Sequence, residues 1–202
     1  MKDTDRISWR RIGQTAVLRA WAIAEATSTK NQLGQQIAVL APAASRKIQA
    51  RELDRLTEND WQTLEQAIVK VRAFLLKTLI ALEPEWYEGN IGFEALAAMR
   101  FFDLPDWTSK TPSRIFGDFC GERHLPGREP EFRGFRTSIE CPIAVAPTLD
   151  GPLCLIEGYT RCATILRDHR AGLSTIQEVP IILGVTSRIT TAWTNGRNHR
   201  WW

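Results

Sequence analysis

No run of this chain reaches the roughly 18 to 20 consecutive apolar residues that a bilayer-spanning helix needs, which excludes a helical membrane span. Cysteine is scarce. Cys120, Cys141, Cys154 and Cys162 show no CxxC spacing. Cys120 and His124 are four apart and Cys141 follows, but no fourth ligand stands at recognisable zinc spacing. Met1-Lys2-Asp3 leads into an amphipathic stretch and not a continuous apolar one. No secretory signal is therefore read there, and the expected compartment is the cytoplasm, with reduced thiols. Internal repeats and low-complexity segments are missing too. Lysine disappears after Lys110: residues 111–202 carry eleven arginines and no lysine, against six lysines and nine arginines in residues 1–110.

The remaining composition is that of a globular protein. With 202 residues, 44% of them hydrophobic and 24% charged, the chain is able to bury a sizeable core without covalent staples. A net charge of +3 neither demands nor excludes nucleic acid. Arginine in place of lysine favours planar, two-pronged recognition of phosphate or carboxylate, although compositional drift alone produces the same bias.

Residues 1–110 read as a helical region. Ile12, Val17, Leu18, Trp21 and Ala24 recur at mainly helical spacing, and Leu33, Ile37 and Leu40 suggest a second helix interrupted near Pro42, with a further turn through Ile48 and Leu53. The strongest signal spans Asn59 to Leu82. Trp61, Leu64, Ile68, Val71, Leu75, Leu79 and Leu82 step by three and four, as one buried stripe does. Thr57 or Asn59 caps its start and Pro84 stops it. A shorter helix is expected over Phe93 to Phe102. These faces either pack on the rest of the fold or serve a homo-oligomer or protein partner.

Residues 111–202 differ in character. Glycine and proline punctuate a long connection between Thr111 and Gly134, and three β-prone runs follow: Pro142–Val145, Leu153–Ile156 and Val179–Leu183. A helix from Tyr159 to Arg170, ended by Gly172, lies between the last two, with Tyr159, Cys162, Ala163 and Leu166 as its inner stripe. A strand–helix–strand unit of this length predicts a right-handed crossover between parallel strands. The expected class is α+β: a helical N-terminal part and a small mixed sheet with a βαβ crossover.

The chemistry concentrates in Leu155-Ile156-Glu157-Gly158-Tyr159-Thr160-Arg161. A strand entering a helix through glycine gathers backbone N–H groups, the positive end of a helix dipole and a guanidinium at one point, where an anion would bind. Gly158 gives a positive φ and close approach. Thr160 caps the helix or bonds a phosphate oxygen, and Arg161 supplies fixed charge. Glu157 is the acid for the site, holding Mg²⁺ or taking a proton, or else it pairs with a nearby arginine.

In this order, Pro142–Val145, Leu155–Arg161 and Val179–Ile182 resemble the core of the ParB/sulfiredoxin superfamily over about residues 136–185, with Ser138-Ile139 echoing the short helix before the first strand. The resemblance implies a site for a nucleoside triphosphate, ATP or CTP, with Mg²⁺. Gly158, Tyr159, Thr160 and Arg161 would contact phosphates and Glu157 would serve the metal or the nucleophile. Departures narrow it. Tyr159 stands where sulfiredoxins need cysteine, which argues against peroxiredoxin repair. The residues after Leu183 hold neither a second phosphate motif nor a helix-turn-helix, which argues against a sliding clamp.

Two further features invite partners. Arg123, Arg128, Arg133 and Arg136 alternate with acids as a solvated loop would, or Arg133 or Arg136 folds over the nucleotide. Arg188, Arg197, His199 and Arg200 accompany Trp193, Trp201 and Trp202, a mixture that stacks on bases or docks on the fold. The leading expectation is a nucleotide-binding protein that hydrolyses a nucleoside triphosphate or passes on its phosphate. The rivals are a DNA- or RNA-binding or nuclease-associated component of a mobile-element or defence system, and a regulatory or assembly protein with a vestigial nucleotide site.

Overall fold

A computed structural model describes residues 8–27, 32–101, 113–119, 141–173 and 176–189 of the chain. The fold is α+β and divides into two compact units, a helical one over Ile12–Glu83 and a sheet unit formed by the residues before and after it. The boundary expected at residue 110 thus falls at residue 83, because a long strand was hidden in the segment that follows Pro84.

In the helical unit, α1 (Gln14–Thr27), α2 (Gln32–Leu40), α3 (Pro42–Gln49), α4 (Glu58–Val71) and α5 (Ala73–Ala81) surround Val17, Trp21, Ile23, Ile37, Ile48, Leu64, Ile68 and Leu79, all buried. Pro42 opens α3, where its missing N–H is no loss. Thr57 begins α4 with a full capping box: its hydroxyl accepts from the Asp60 N–H at 3.2 Å while the Asp60 carboxylate takes the Thr57 N–H at 2.9 Å. Lys47 of α3 adds a bond to the same carboxylate oxygen at 2.6 Å.

One continuous helix from Asn59 to Leu82 was expected, and the structure kinks it at Arg72 (φ −109°, ψ 24°). The i→i−4 bonds persist on both sides, from Arg72 N–H to Ile68 and from Leu76 N–H to the Arg72 carbonyl. Arg72 also donates to the buried carboxylate of Glu25 in α1, with Nε at 2.8 Å. A side chain of long reach at the kink therefore ties the two helices together.

Among the described residues the sheet has six strands in the order β1-β2-β6-β4-β5-β3: β1 (Arg10–Ile12), β2 (Glu85–Gly92), β3 (Arg100–Phe101), β4 (Ile143–Ala146), β5 (Cys154–Glu157) and β6 (Glu178–Val185). β2 runs antiparallel to β6 from Glu85↔Val185 to Gly92↔Glu178. It escaped the sequence reading because glycines interrupt its period. An added Cβ at Gly89 would lie 2.7 Å from the Trp9 ring, and one at Gly184 would lie 2.7 Å from the Trp86 ring. Each indole covers the place where a side chain would stand. Pro180 is tolerated inside β6 because β4, among the described residues, reaches only Ile182, whose N–H bonds the Pro142 carbonyl; the imide of Pro180, two residues earlier on the same edge, faces no described strand.

The helix α8 (Tyr159–Arg170) joins β5 to β6, with α6 (Phe93–Ala98) and the short α7 (Phe116–Phe119) beside it. The crossover exists, but its strands are not parallel. β4 lies between them, antiparallel to β5 and parallel to β6, so α8 links strands of opposite direction. The helix expected over Phe93–Phe102 ends at Ala98, where the chain turns into β3. Ile91, Leu96, Phe116, Ala144, Leu155, Cys162, Leu166, Ile181 and Leu183 form the core under the helices. Ile143, Val145, Cys154, Ile156 and Ile182, on the alternate positions, are buried too, which explains why these strands read as unbroken apolar runs.

The capping box sets a pH dependence. Lys47, then the Thr57 N–H and hydroxyl, lower the Asp60 pKa from 3.8 to about 2. A carboxyl depressed in the fold stabilises it above its unfolded pKa and loses that contribution as pH falls from about 4 to about 2. Equilibrium denaturation across this window is expected to show a steeper loss in the wild type than in Asp60→Asn, and Thr57→Ala should cost about 1 kcal/mol at neutral pH.

Candidate functional site

The corner between β5 and α8 is built by one backbone conformation. Gly158 is the residue before the first turn of α8 and takes φ +95°, ψ 18°, a left-handed geometry that reverses the chain at the end of β5. A Cβ placed there would lie 2.9 Å from the Pro142 Cβ and 3.0 Å from its Cα. The positive φ expected of Gly158 is present, and the space its missing Cβ leaves is filled by Pro142, at the entrance to β4. The sequence reading placed Pro142 at the head of the first β-prone run and gave it no role at the corner.

The helix then starts cleanly. Gly158 offers no capping side chain, the first turn has no acid, and Cys162 N–H makes the first intrahelical bond to the Gly158 carbonyl at 2.9 Å. Helix geometry directs the first-turn amides of Tyr159, Thr160 and Arg161 out of the end of α8, toward the corner. The far end is fastened as well: Arg170 donates to the Gly117 carbonyl at 2.7 Å and the His169 ring stacks on Phe93 at 3.5 Å.

Tyr159 faces inward. Its hydroxyl donates to the Leu155 carbonyl at 2.8 Å and its ring lies 6.1 Å from Phe116. Its side chain braces the corner, which leaves the backbone N–H as the group through which Tyr159 would meet an anion. Arg161 and Glu157 do meet: Arg161 Nη2 donates to Glu157 Oε2 across the corner, and the two side chains are only 11% and 16% exposed. The carboxylate also precedes the positive end of α8, where negative charge is favoured. Glu157, Gly158 and Arg161 are therefore contiguous around one helix terminus; the side chain of Thr160 lies outside the described ones.

Arg136, the other expected phosphate ligand, lies outside the described residues. So do Cys120, His124, Arg123, Arg128, Arg133, Ser138, Ile139 and the Arg/Trp run from residue 190 onward. Cys141, Cys154 and Cys162 are buried thiols outside any disulfide, and burial pushes the Cys154 thiol up to about 12. A thiol held protonated is a poor nucleophile.

Among the described residues no three His, Cys, Asp or Glu side chains stand together as a metal cage. One carboxylate beside a helix N-terminus suits Mg²⁺ held mainly by phosphate oxygens and water. No described helix is long and apolar enough to cross a membrane. No family model matches the chain, and neither a curated protein nor a solved structure shows significant similarity to it.

The strain at the corner gives a direct test. Gly158→Ala is expected to lower stability by about 2–4 kcal/mol, from the left-handed backbone and the contact with Pro142, read as a fall in Tm. Tyr159→Phe should cost about 1 kcal/mol through the lost bond to Leu155. A Gly158→Ala protein as stable as the wild type would contradict the geometry.

Proposed function

We propose that the protein binds a nucleoside triphosphate, ATP or CTP, with Mg²⁺ at the β5–α8 corner and hydrolyses it or passes on its terminal phosphate. The observation that carries this reading is the convergence of Arg161, Glu157 and the amino end of α8 on one left-handed glycine. The resemblance to the ParB/sulfiredoxin superfamily supports it. Arg161 and the first-turn amides hold charge on the phosphates, with each charged hydrogen bond contributing about 1.5–3 kcal/mol. Glu157 would serve the metal or accept a proton from an attacking hydroxyl or water. Buried reduced thiols agree with a cytoplasmic setting.

The Glu157–Arg161 ion pair supports a second reading. A corner whose charges satisfy each other also suits a regulatory or assembly protein with a vestigial pocket, in which the helical unit makes the partner contact.

Titration of the four ribonucleoside triphosphates, with and without Mg²⁺, separates the two. The first reading expects micromolar to millimolar binding, weakened about tenfold or more in Arg161→Ala, measured at a temperature where circular dichroism shows that variant folded, because losing the partner of Glu157 also lowers its Tm. A wild-type protein that forms a stable oligomer, binds none of the four and shows no nucleotide effect on its melting would favour the second.

A further inference from the structure

We propose that the outer face of α2 and α3, in the helical unit, docks on duplex DNA. The site is separate from the β5–α8 corner and stands or falls without it.

The distribution of acids points there. The chain carries 23 Asp and Glu, yet none falls between Glu25 and Glu52, an interval that holds Lys30, Arg46, Lys47 and Arg51. α2 and α3 fill most of that interval and meet through one buried residue, Ala41. Their inner sides, with Ile37 and Ile48 buried, pack on each other and on α1 and α4. Exposed to solvent are Gln32, Gln36 and Val39 of α2, Ala43 and Arg46 of α3, and Arg51 just past its end. Neutral amides, small apolar groups and cations share this surface, with no carboxylate from either helix.

The two arginines are available. Lys47 is held by Asp60, and Glu52 by Arg55. The side chains of Arg46 and Arg51 make no ion pair or hydrogen bond among the described residues. The negative end of the α3 dipole favours a cation at Arg46. It explains neither the missing acids along α2 nor Arg51, which stands outside the helix at φ 61°.

A surface without carboxylates repels no phosphate, and each arginine that meets one releases a condensed counter-ion. Glutamine amides suit the edge of adenine, arginine suits guanine, and small apolar groups suit the thymine methyl. The B-form major groove admits an α-helix, whereas that of an RNA duplex is too deep and narrow to be read by side chains. The occupant is therefore DNA.

The test is the salt dependence of binding between the full chain and a labelled DNA duplex of mixed sequence, read by fluorescence anisotropy from about 50 to about 200 mM salt. The wild type is expected to give a slope of log affinity against log salt of about −2 or steeper, one counter-ion or more for the two arginines each. Arg46→Ala and Arg51→Asn should each lessen the slope by about one at unchanged Tm; asparagine tolerates the left-handed backbone at residue 51. Lys70→Ala and Lys77→Ala remove exposed cations of α4 and α5, which also make no ion pair among the described residues, and should leave the slope as it is. A slope unmoved by both arginine variants, or moved as much by the lysine variants, overturns the proposal. So does an RNA duplex bound as tightly as DNA, or no binding to DNA at about 50 mM salt. Should one arginine variant lose stability, the other decides.

Discussion

A left-handed glycine pressed against a proline governs the sheet unit. Gly158 reverses the chain at the end of β5, and the missing Cβ lets the entrance of β4 close against the turn. That contact fixes where α8 starts and hence which of its residues reach the core. It also decides which side chain in its first turn can look back at Glu157. The hydroxyl of Tyr159 on the Leu155 carbonyl and the side chain of Arg170 on the Gly117 carbonyl then hold the helix at its two ends. A guanidinium and a carboxylate brought together by so constrained a corner are pre-organised, which is what recognition of a charged ligand requires and what a structural ion pair also displays.

The helical unit uses charge differently. Glu25 lies buried in α1 and is answered by Arg72, which sits at the kink between α4 and α5 and also approaches the Trp21 ring at 5.9 Å. Lys47 and Thr57 converge on Asp60 at the opposite end of α4. These groups tie α1 to the α4–α5 junction and α3 to the start of α4. Such polar pairs specify an arrangement more than they add stability, because each charge gives up solvation to make its bond.

How much of this was legible in the sequence follows from which forces leave a periodic mark. β4, β5, β6 and α8 were found because strands buried on both faces read as continuous apolar runs and because Gly158 and Gly172 punctuate them. Strand direction left no such mark, so the antiparallel relation of β5 to β6 was missed. β2 was invisible for a specific reason: its period is broken by glycines, and the side chain expected at Gly89 is replaced by the ring of Trp9, supplied from another position in the chain. The kink at Arg72 involves neither glycine nor proline and so gave no warning. At the candidate site the meeting of Glu157 with Arg161 was foreseen as one alternative, whereas the inward turn of Tyr159 and the wall made by Pro142 depend on packing between segments that the local sequence does not record.

The central claim is that the amino end of α8 receives phosphate. Backbone amide NMR during titration with MgATP and MgCTP reads that end residue by residue. The account predicts saturable shifts that are largest at Gly158 through Cys162, where the first-turn N–H groups meet the ligand. Shifts confined to other parts of the chain, or none at millimolar nucleotide, would contradict it.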